Sequence, residues 1–395
     1  MLQAQERVRY RPALDGLRGI AVLGVLAFHS GSNKFIPGLY PGGKYGVDIF
    51  FVLSGYLITG LLLAEQTRTG TISLKKFYMR RALRLLPGLV LLLGYTGFTV
   101  LVVGRNADGR TLFVAVIPVL LYVGNWAVAA NNKQLGLLGH TWTLALEEQF
   151  YLFWPPILKR ALRRDPTARR IAGTLVAIVV LIGMYRAFVT VEAFTNIYQP
   201  VWRFDGLLLG SALAIFLERI DTGALRRRLQ SPVLALVAFA LLGLLTIVLP
   251  FHTRFEGMGG FSLLLVAAAV VVAFAALADQ HRGLNRVFSF KPLAGLGRIS
   301  YGVYLFHPAT NALIHSTRIS HLPNAVEVVI HQSASIAIAA ASYLLIERRI
   351  LAFKARFQPL DNAALATQDE DALGDVALDA GSVTITGEGD ERSVD

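Results

Sequence analysis

Long apolar runs, each near the length of a membrane-crossing helix, recur along the chain and alternate with short basic clusters. They fall near residues 13–30, 45–64, 86–103, 111–130, 142–158, 171–189, 201–217, 232–250, 259–277, 293–315 and 326–346, eleven in all. Crossing the hydrocarbon core takes about 20 predominantly apolar residues. The basic clusters are Arg7, Arg9 and Arg11; Lys75, Lys76, Arg80, Arg81 and Arg84; and Lys159, Arg160, Arg163, Arg164, Arg169 and Arg170. Further on come Arg219 with Arg226, Arg227 and Arg228; Arg282, Arg286 and Lys291; and Arg348, Arg349, Lys354 and Arg356. Basic loops stay on the cytoplasmic side.

With the N-terminus inside, the first two segments return the chain to the cytoplasm at 75–84. An even number of crossings must then lead to the basic loop at 159–170, yet three apolar segments intervene. The segment 111–130 is read as the one that does not span. It contains Pro118, Gly124 and Asn125 and follows a polar turn at 105–110. Non-helical backbone at membrane depth is tolerated where protein or water surrounds it. The expected fold is an all-α membrane protein of about ten transmembrane helices with one re-entrant or interfacial segment. The expected location is the cell (inner, cytoplasmic) membrane, multi-pass, with both termini cytoplasmic. Eleven spans with one basic loop outside is the alternative.

Composition agrees with this pattern. Hydrophobic residues make up 54% of the 395 and charged residues only 16%, against about a quarter charged in soluble domains. There is no cysteine, which excludes a disulfide, a thiolate zinc site and an iron–sulfur cluster; no metal site is expected. The arginines before the first apolar run could suggest a signal peptide. Arg18 inside the run and the absence of a small-residue cleavage site argue for a retained helix. From about residue 358 the chain changes character, with ten acidic residues against one Arg. The division expected is a membrane domain over 1–357 and an acidic, disordered cytoplasmic tail over 358–395.

Ionisable residues inside spans are costly and usually functional. The first helix holds Asp15, Arg18 and His29. Eleven residues separate Arg18 from His29, which is about 20° from exact alignment and about 16 Å of rise. The two side chains share one stripe, and Asp15 can pair with Arg18. In the second helix Asp48, Gly55 and Thr59 fall near one stripe; Asp48 either orients a His or sits at the interface. Ser54 lacks the surroundings of a nucleophile and is read as packing. The segment 72–86 is amphipathic, with Arg81 and Arg84 three apart and able to converge on one phosphate. Lys76 and Arg80 are read as headgroup contacts.

The richest stretch runs from Gly139 to Tyr151. His140, Thr143, Glu147 and Tyr151 follow helical spacing along one face, and Glu148 points about 100° away. Later spans hold Arg203 with Asp205, expected to pair or to contact substrate, and Tyr301, Tyr304 and His307, expected to line the same cavity.

At these residues the sequence resembles the integral-membrane acyltransferase family 3, which includes O-antigen and other carbohydrate O-acetylases. The resemblance covers about residues 9–350. It rests on Leu14-Asp-Gly-Leu-Arg-Gly-Ile-Ala, on the spacing of Arg18 and His29, and on Gly46-Val-Asp-Ile-Phe-Phe-Val-Leu-Ser-Gly-Tyr-Leu-Ile. It also rests on the pair Arg81 and Arg84, on His140-Thr-Trp-Thr-Leu-Ala-Leu-Glu-Glu-Gln-Phe-Tyr, on Ile299-Ser-Tyr-Gly-Val-Tyr-Leu-Phe-His and on Ile346-Glu-Arg. The closing motif often continues with Pro, where this chain has Arg349.

The resemblance implies an O-acyltransferase. It would move an acyl group, commonly acetyl, from cytoplasmic acyl-CoA to a hydroxyl of a carbohydrate, lipid-linked glycan or other acceptor. Acyl-CoA would be a cosubstrate, and no tightly bound cofactor or nucleic acid is expected. His29 is the expected general base and Glu147 its supporting carboxylate; Arg18, Arg81 and Arg84 are expected to bind the donor. Asp48, His140, Tyr151, Arg203 and Tyr301 are expected around the substrate cavity. Some relatives carry an additional C-terminal esterase-like domain that this sequence does not show, which leaves open whether a partner completes the transfer. A proton-coupled transporter is the rival reading, since it too would place His, Glu and Arg in the membrane. No internal repeat of the kind common in transporters is visible.

Overall fold

A computed structural model describes residues 10–30, 45–103, 109–130, 135–188, 200–220, 223–248, 259–317 and 322–352. Among these residues every regular element is helical. The segment 358–395, expected as an acidic tail, lies outside the described residues. The chain opens with α1 (Pro12–His29), α2 (Gly46–Thr69) and α3 (Leu74–Val103). Two short helices follow, α4 (Gly109–Leu120) and α5 (Gly124–Ala130), and then a 3-10 turn (Gly136–Thr141) that leads into α6 (Trp142–Arg164). Next come α7 (Arg169–Phe188), α8 (Pro200–Arg219), α9 (Gly223–Leu229), α10 (Pro232–Val248) and α11 (Phe261–Leu277). The last are α12 (Gly283–Phe288), α13 (Lys291–Arg298), α14 (Ser300–His315) and α15 (Asn324–Ser342), closed by a π turn (Tyr343–Glu347) and α16 (Arg348–Ala352).

Among the described residues, five helical stretches are long and apolar enough to cross a membrane: α1, α2, α3, α7 and the run Asn324–Ile350. A sixth is α9 with α10, if that pair, bent by 60°, is one span. The helical architecture agrees with the sequence reading, and the count of about ten is not confirmed. Glu147, Glu148 and a basic C-terminal end interrupt the apolar run of α6, while α11 and α14 have 17 and 16 residues. Large apolar side chains such as Leu101, Phe113, Leu181, Phe188, Val237 and Leu244 face outward, as a surface covered by lipid tails requires.

Two boundaries differ from the sequence reading. The amphipathic segment and the run 86–103 form one continuous helix, α3, with Pro87 inside it. The run 293–315 is broken at Ile299 into α13 and α14. There α13 turns to lie against α1, and Gly297 permits the approach: a Cβ on it would come within 1.7 Å of the Asp15 carbonyl oxygen. The segment 111–130, read as the run that does not span, is two short helices. At 12 and 7 residues they are each too short to span. The break lies at Tyr122, whose φ is 53°.

The packing centre is the crossing of α2 and α8. A Cβ on Gly55 would lie 2.0 Å from the Leu207 carbonyl oxygen, and one on Gly210 would lie 2.1 Å from that of Val52. Without a hydrophobic driving force between helices in lipid, such close backbone approach supplies the contact. At the start of α7, the Thr167 side chain and the Arg170 amide donate to the Asp165 carboxylate and hold its pKa below the usual range.

Candidate active site

One end of the site is built on the last turn of α1. The His29 Nδ1 lies 2.9 Å from the carbonyl oxygen of Val25. A ring that donates Nδ1–H to that carbonyl keeps the lone pair on Nε2. His29 as a residue is exposed. The carbonyl carbon of His29 is fixed in turn, because Asn311 Nδ2 on α14 donates to its oxygen at 3.2 Å.

Two further histidines stand behind it. The rings of His29 and His307 are 4.7 Å apart, centroid to centroid, and those of His140 and His307 are 5.3 Å apart. His307 is fully buried on α14 and points Nδ1 at the Tyr304 carbonyl, 2.7 Å away. Its Nε2 has no hydrogen-bond partner. His140 lies between two carbonyl oxygens, Leu137 at 3.2 Å from Nδ1 and Leu305 at 3.1 Å from Nε2. A neutral imidazole has one N–H to donate, so only one of these contacts is a hydrogen bond. Tyr304 joins this group through its hydroxyl, which donates to the His140 carbonyl and meets Thr143 Oγ1. Of the three histidines, His29 is the exposed one.

The other end gathers arginines and glutamates. Glu147 Oε1 accepts from Ser54 Oγ at 2.8 Å. Glu148 Oε1 accepts from Arg81 Nη2 at 3.0 Å, and the Arg81 guanidinium stacks 3.7 Å above the Tyr151 ring. Arg18 pairs with Asp15 at 3.6 Å. Arg18, Arg81 and Arg84 all lie within electrostatic reach of Glu147. Arg84 has no ion pair among the described residues and lines a small cavity with Arg298, Tyr301 and Glu347. Arg81 is paired with Glu148, whereas Arg84 meets Arg298, Tyr301 and Glu347 across that cavity.

A groove of about 620 Å³ runs beside Arg81, with Glu148, Gln149 and Tyr151 on one wall and the broken segment around Tyr122 and Trp126 on the other. Gln149 Nε2 donates to the Tyr122 carbonyl at 2.8 Å and lies 2.8 Å from Asn125 Oδ1. The interrupted backbone of the groove wall therefore finds its partner on α6, as irregular backbone away from water must.

Several sequence expectations are corrected by these contacts. His140 and Glu147 do not share one helical face, because His140 sits in the 3-10 turn that precedes α6. Glu147 is not brought to His29; among the described residues no hydrogen bond or ion pair joins them. Among the described residues Asp48 meets an arginine where a histidine was one expectation. Its Oδ1 pairs with Arg203 Nη1 at 2.8 Å. Arg203 therefore does not pair with Asp205, which binds Arg186. Both guanidiniums lie over the Phe261 ring, at 4.5 Å for Arg186 and 4.9 Å for Arg203. These two buried pairs tie α2, α7, α8 and α11 together. Tyr301 donates to the Leu85 carbonyl and lines the small cavity with Arg84. Arg80, read as a headgroup contact, pairs with Glu65 at 3.0 Å. Ser54, read as packing, is the partner of Glu147. Sequence reasoning missed Asn311, whose polar side chain four residues after His307 is the signal it offered.

The chain matches the family described as an acyltransferase domain, acyltransferase 3, over residues 11–345. It is 32% identical over 356 residues to a Staphylococcus aureus protein provisionally named an O-acetyltransferase, covering 87% of this chain and 57% of that protein. It is 31% identical over 359 residues to the peptidoglycan O-acetyltransferase of Listeria monocytogenes, covering 87% of this chain and 56% of that one. A Bacillus subtilis protein provisionally named a peptidoglycan O-acetyltransferase is 31% identical over 367 residues, covering 89% and 56%. The chain thus spans a little over half the length of the curated relatives it matches. No solved structure matches it.

Proposed function

The chain belongs to the acyltransferase 3 family, and from that premise we propose that it is a membrane O-acetyltransferase acting on a hydroxyl of a cell-wall glycan such as peptidoglycan. The observation that carries the reading is His29: an exposed residue whose imidazole is held by a backbone carbonyl with its second nitrogen free, at the end of the helix that also carries Arg18. A hydroxyl is a weak nucleophile until a base takes its proton, and imidazole does so near neutral pH.

In this reading acetyl-CoA is the donor. The acceptor oxygen attacks the thioester carbonyl while His29 Nε2 takes the hydroxyl proton. The carbon–sulfur bond then breaks, and the imidazolium returns the proton to the departing thiolate. The orienting partner of the ring is the Val25 carbonyl where a carboxylate was expected. Arg84, with no ion pair among the described residues, and Arg18 are the groups proposed for the donor's phosphates. Charge-assisted contacts of this kind contribute roughly 1.5–3 kcal/mol each. Arg81, its charge already met by Glu148, shapes the groove wall. The Arg18-to-His29 rise of about 16 Å is within reach of an extended pantetheine arm.

The reading is tested by reconstituting the protein in liposomes with radiolabelled acetyl-CoA and solubilised glycan strands. Label appearing as an alkali-labile ester on the glycan is the expected result. Ion flux without transfer would favour the transporter.

A further inference from the structure

At the tip of the α14–α15 hairpin, two histidines and a glutamate converge that the histidine cluster around His29 does not use. His315 ends α14; Glu327 and His331 lie one turn apart on α15. His315 Nδ1 is 3.0 Å from Glu327 Oε1, and His331 Nε2 is 3.9 Å from that same oxygen. The three ligand atoms all fall within 4.8 Å of one another. His331 is fully buried, yet neither of its ring nitrogens has a hydrogen-bond partner. A buried imidazole without partners carries an uncompensated desolvation penalty. A bound cation would remove it.

We propose that His315, Glu327 and His331 form a binding site for a divalent transition-metal ion, zinc by the nature of the donors. Two imidazole nitrogens and one carboxylate oxygen are a zinc ligand set, with bonds of about 2.0–2.2 Å. Tetrahedral bonds of that length separate neighbouring ligand atoms by about 3.3 Å, and the observed 3.0 and 3.9 Å bracket that value. Three protein ligands leave a fourth position for water on the side where His315 is exposed. Sequence reading expected no metal here because it weighed cysteine spacing and not the i, i+4 pair Glu327 and His331, which shares one helix face.

The ion would clamp α14 to α15 beside the end of α1. Asn311, one turn before His315, holds the His29 carbonyl, and Gln332, next to His331, lies 3.5 Å from Ser30 Oγ. The role assigned is positional, and it stands apart from any assignment of acyl transfer.

The test uses the full chain purified without a polyhistidine tag, stripped with chelator and titrated with cobalt(II). The expected result is a visible ligand-field spectrum that saturates near one cobalt per chain, is displaced by zinc, and is lost in His315→Ala and in Glu327→Gln. His281→Ala, at an exposed position outside the hairpin, should leave it intact. The melting temperature of the stripped protein should rise with zinc in the wild type and not in His315→Ala. Because His315 is exposed, that variant should fold even if His331→Ala does not. No spectrum in the wild type, or an unchanged spectrum in both His315→Ala and Glu327→Gln, overturns the proposal and leaves an ordinary His–Glu–His contact.

Discussion

Burying a charge away from water is strongly unfavourable unless a partner stands beside it, and removing one member of such a pair typically destabilises by about 3–5 kcal/mol. Asp48 is fully buried and Arg203 nearly so, and the two bind each other across α2 and α8. Asp48→Leu and Arg203→Met should each lower the melting temperature in detergent sharply. The double variant should recover much of the loss, because it removes both charges together. Additive losses would show that the two side chains act independently. From sequence, an Asp in a span suggested a ligand-facing role. Which helix it faces depends on tertiary packing, and helical phase alone cannot supply that. The same limit hid the link between Ser54 and Glu147, 93 residues apart.

Among elements, the break between α4 and α5 falls in the run that the sequence reading marked as not spanning. The odd number of apolar runs between two basic clusters required one run not to span, and Pro118, Gly124 and Asn125 marked which one. The residue that completes this segment lies elsewhere, on α6, because Gln149 satisfies the Tyr122 carbonyl and Asn125. Gln149→Leu should leave that carbonyl without a partner, at a cost of about 1–3 kcal/mol. Limited proteolysis in detergent should then cleave near residues 121–126 faster than in the wild type. Protection equal to the wild type would mean that the break is held by other contacts. The breaks at Ile299 and after Ser342 had no such signal. The one at Ile299 goes with α13 docking on α1, where Gly297 meets the Asp15 backbone.

For the whole molecule, apolar run lengths made the helical membrane architecture legible, and the alternation of basic loops gave an orientation. The cysteine-free chain allows that orientation to be read directly. A single cysteine at Arg164 should be shielded from a membrane-impermeant thiol reagent added to intact cells and react once they are opened. Labelling in intact cells would invert the arrangement. The assembled bundle sets His29 and its companions at one end of α1 and the arginine–glutamate cluster toward the other, so one long substrate could engage both. The most direct test of that account is acetyl transfer from radiolabelled acetyl-CoA to glycan by His29→Ala, compared with the wild type at matched expression and matched donor binding. A positioned general base contributes roughly 10²–10⁴-fold, so transfer should fall by that order while acetyl-CoA affinity and melting temperature hold. Transfer by His29→Ala at near wild-type rate would contradict the account.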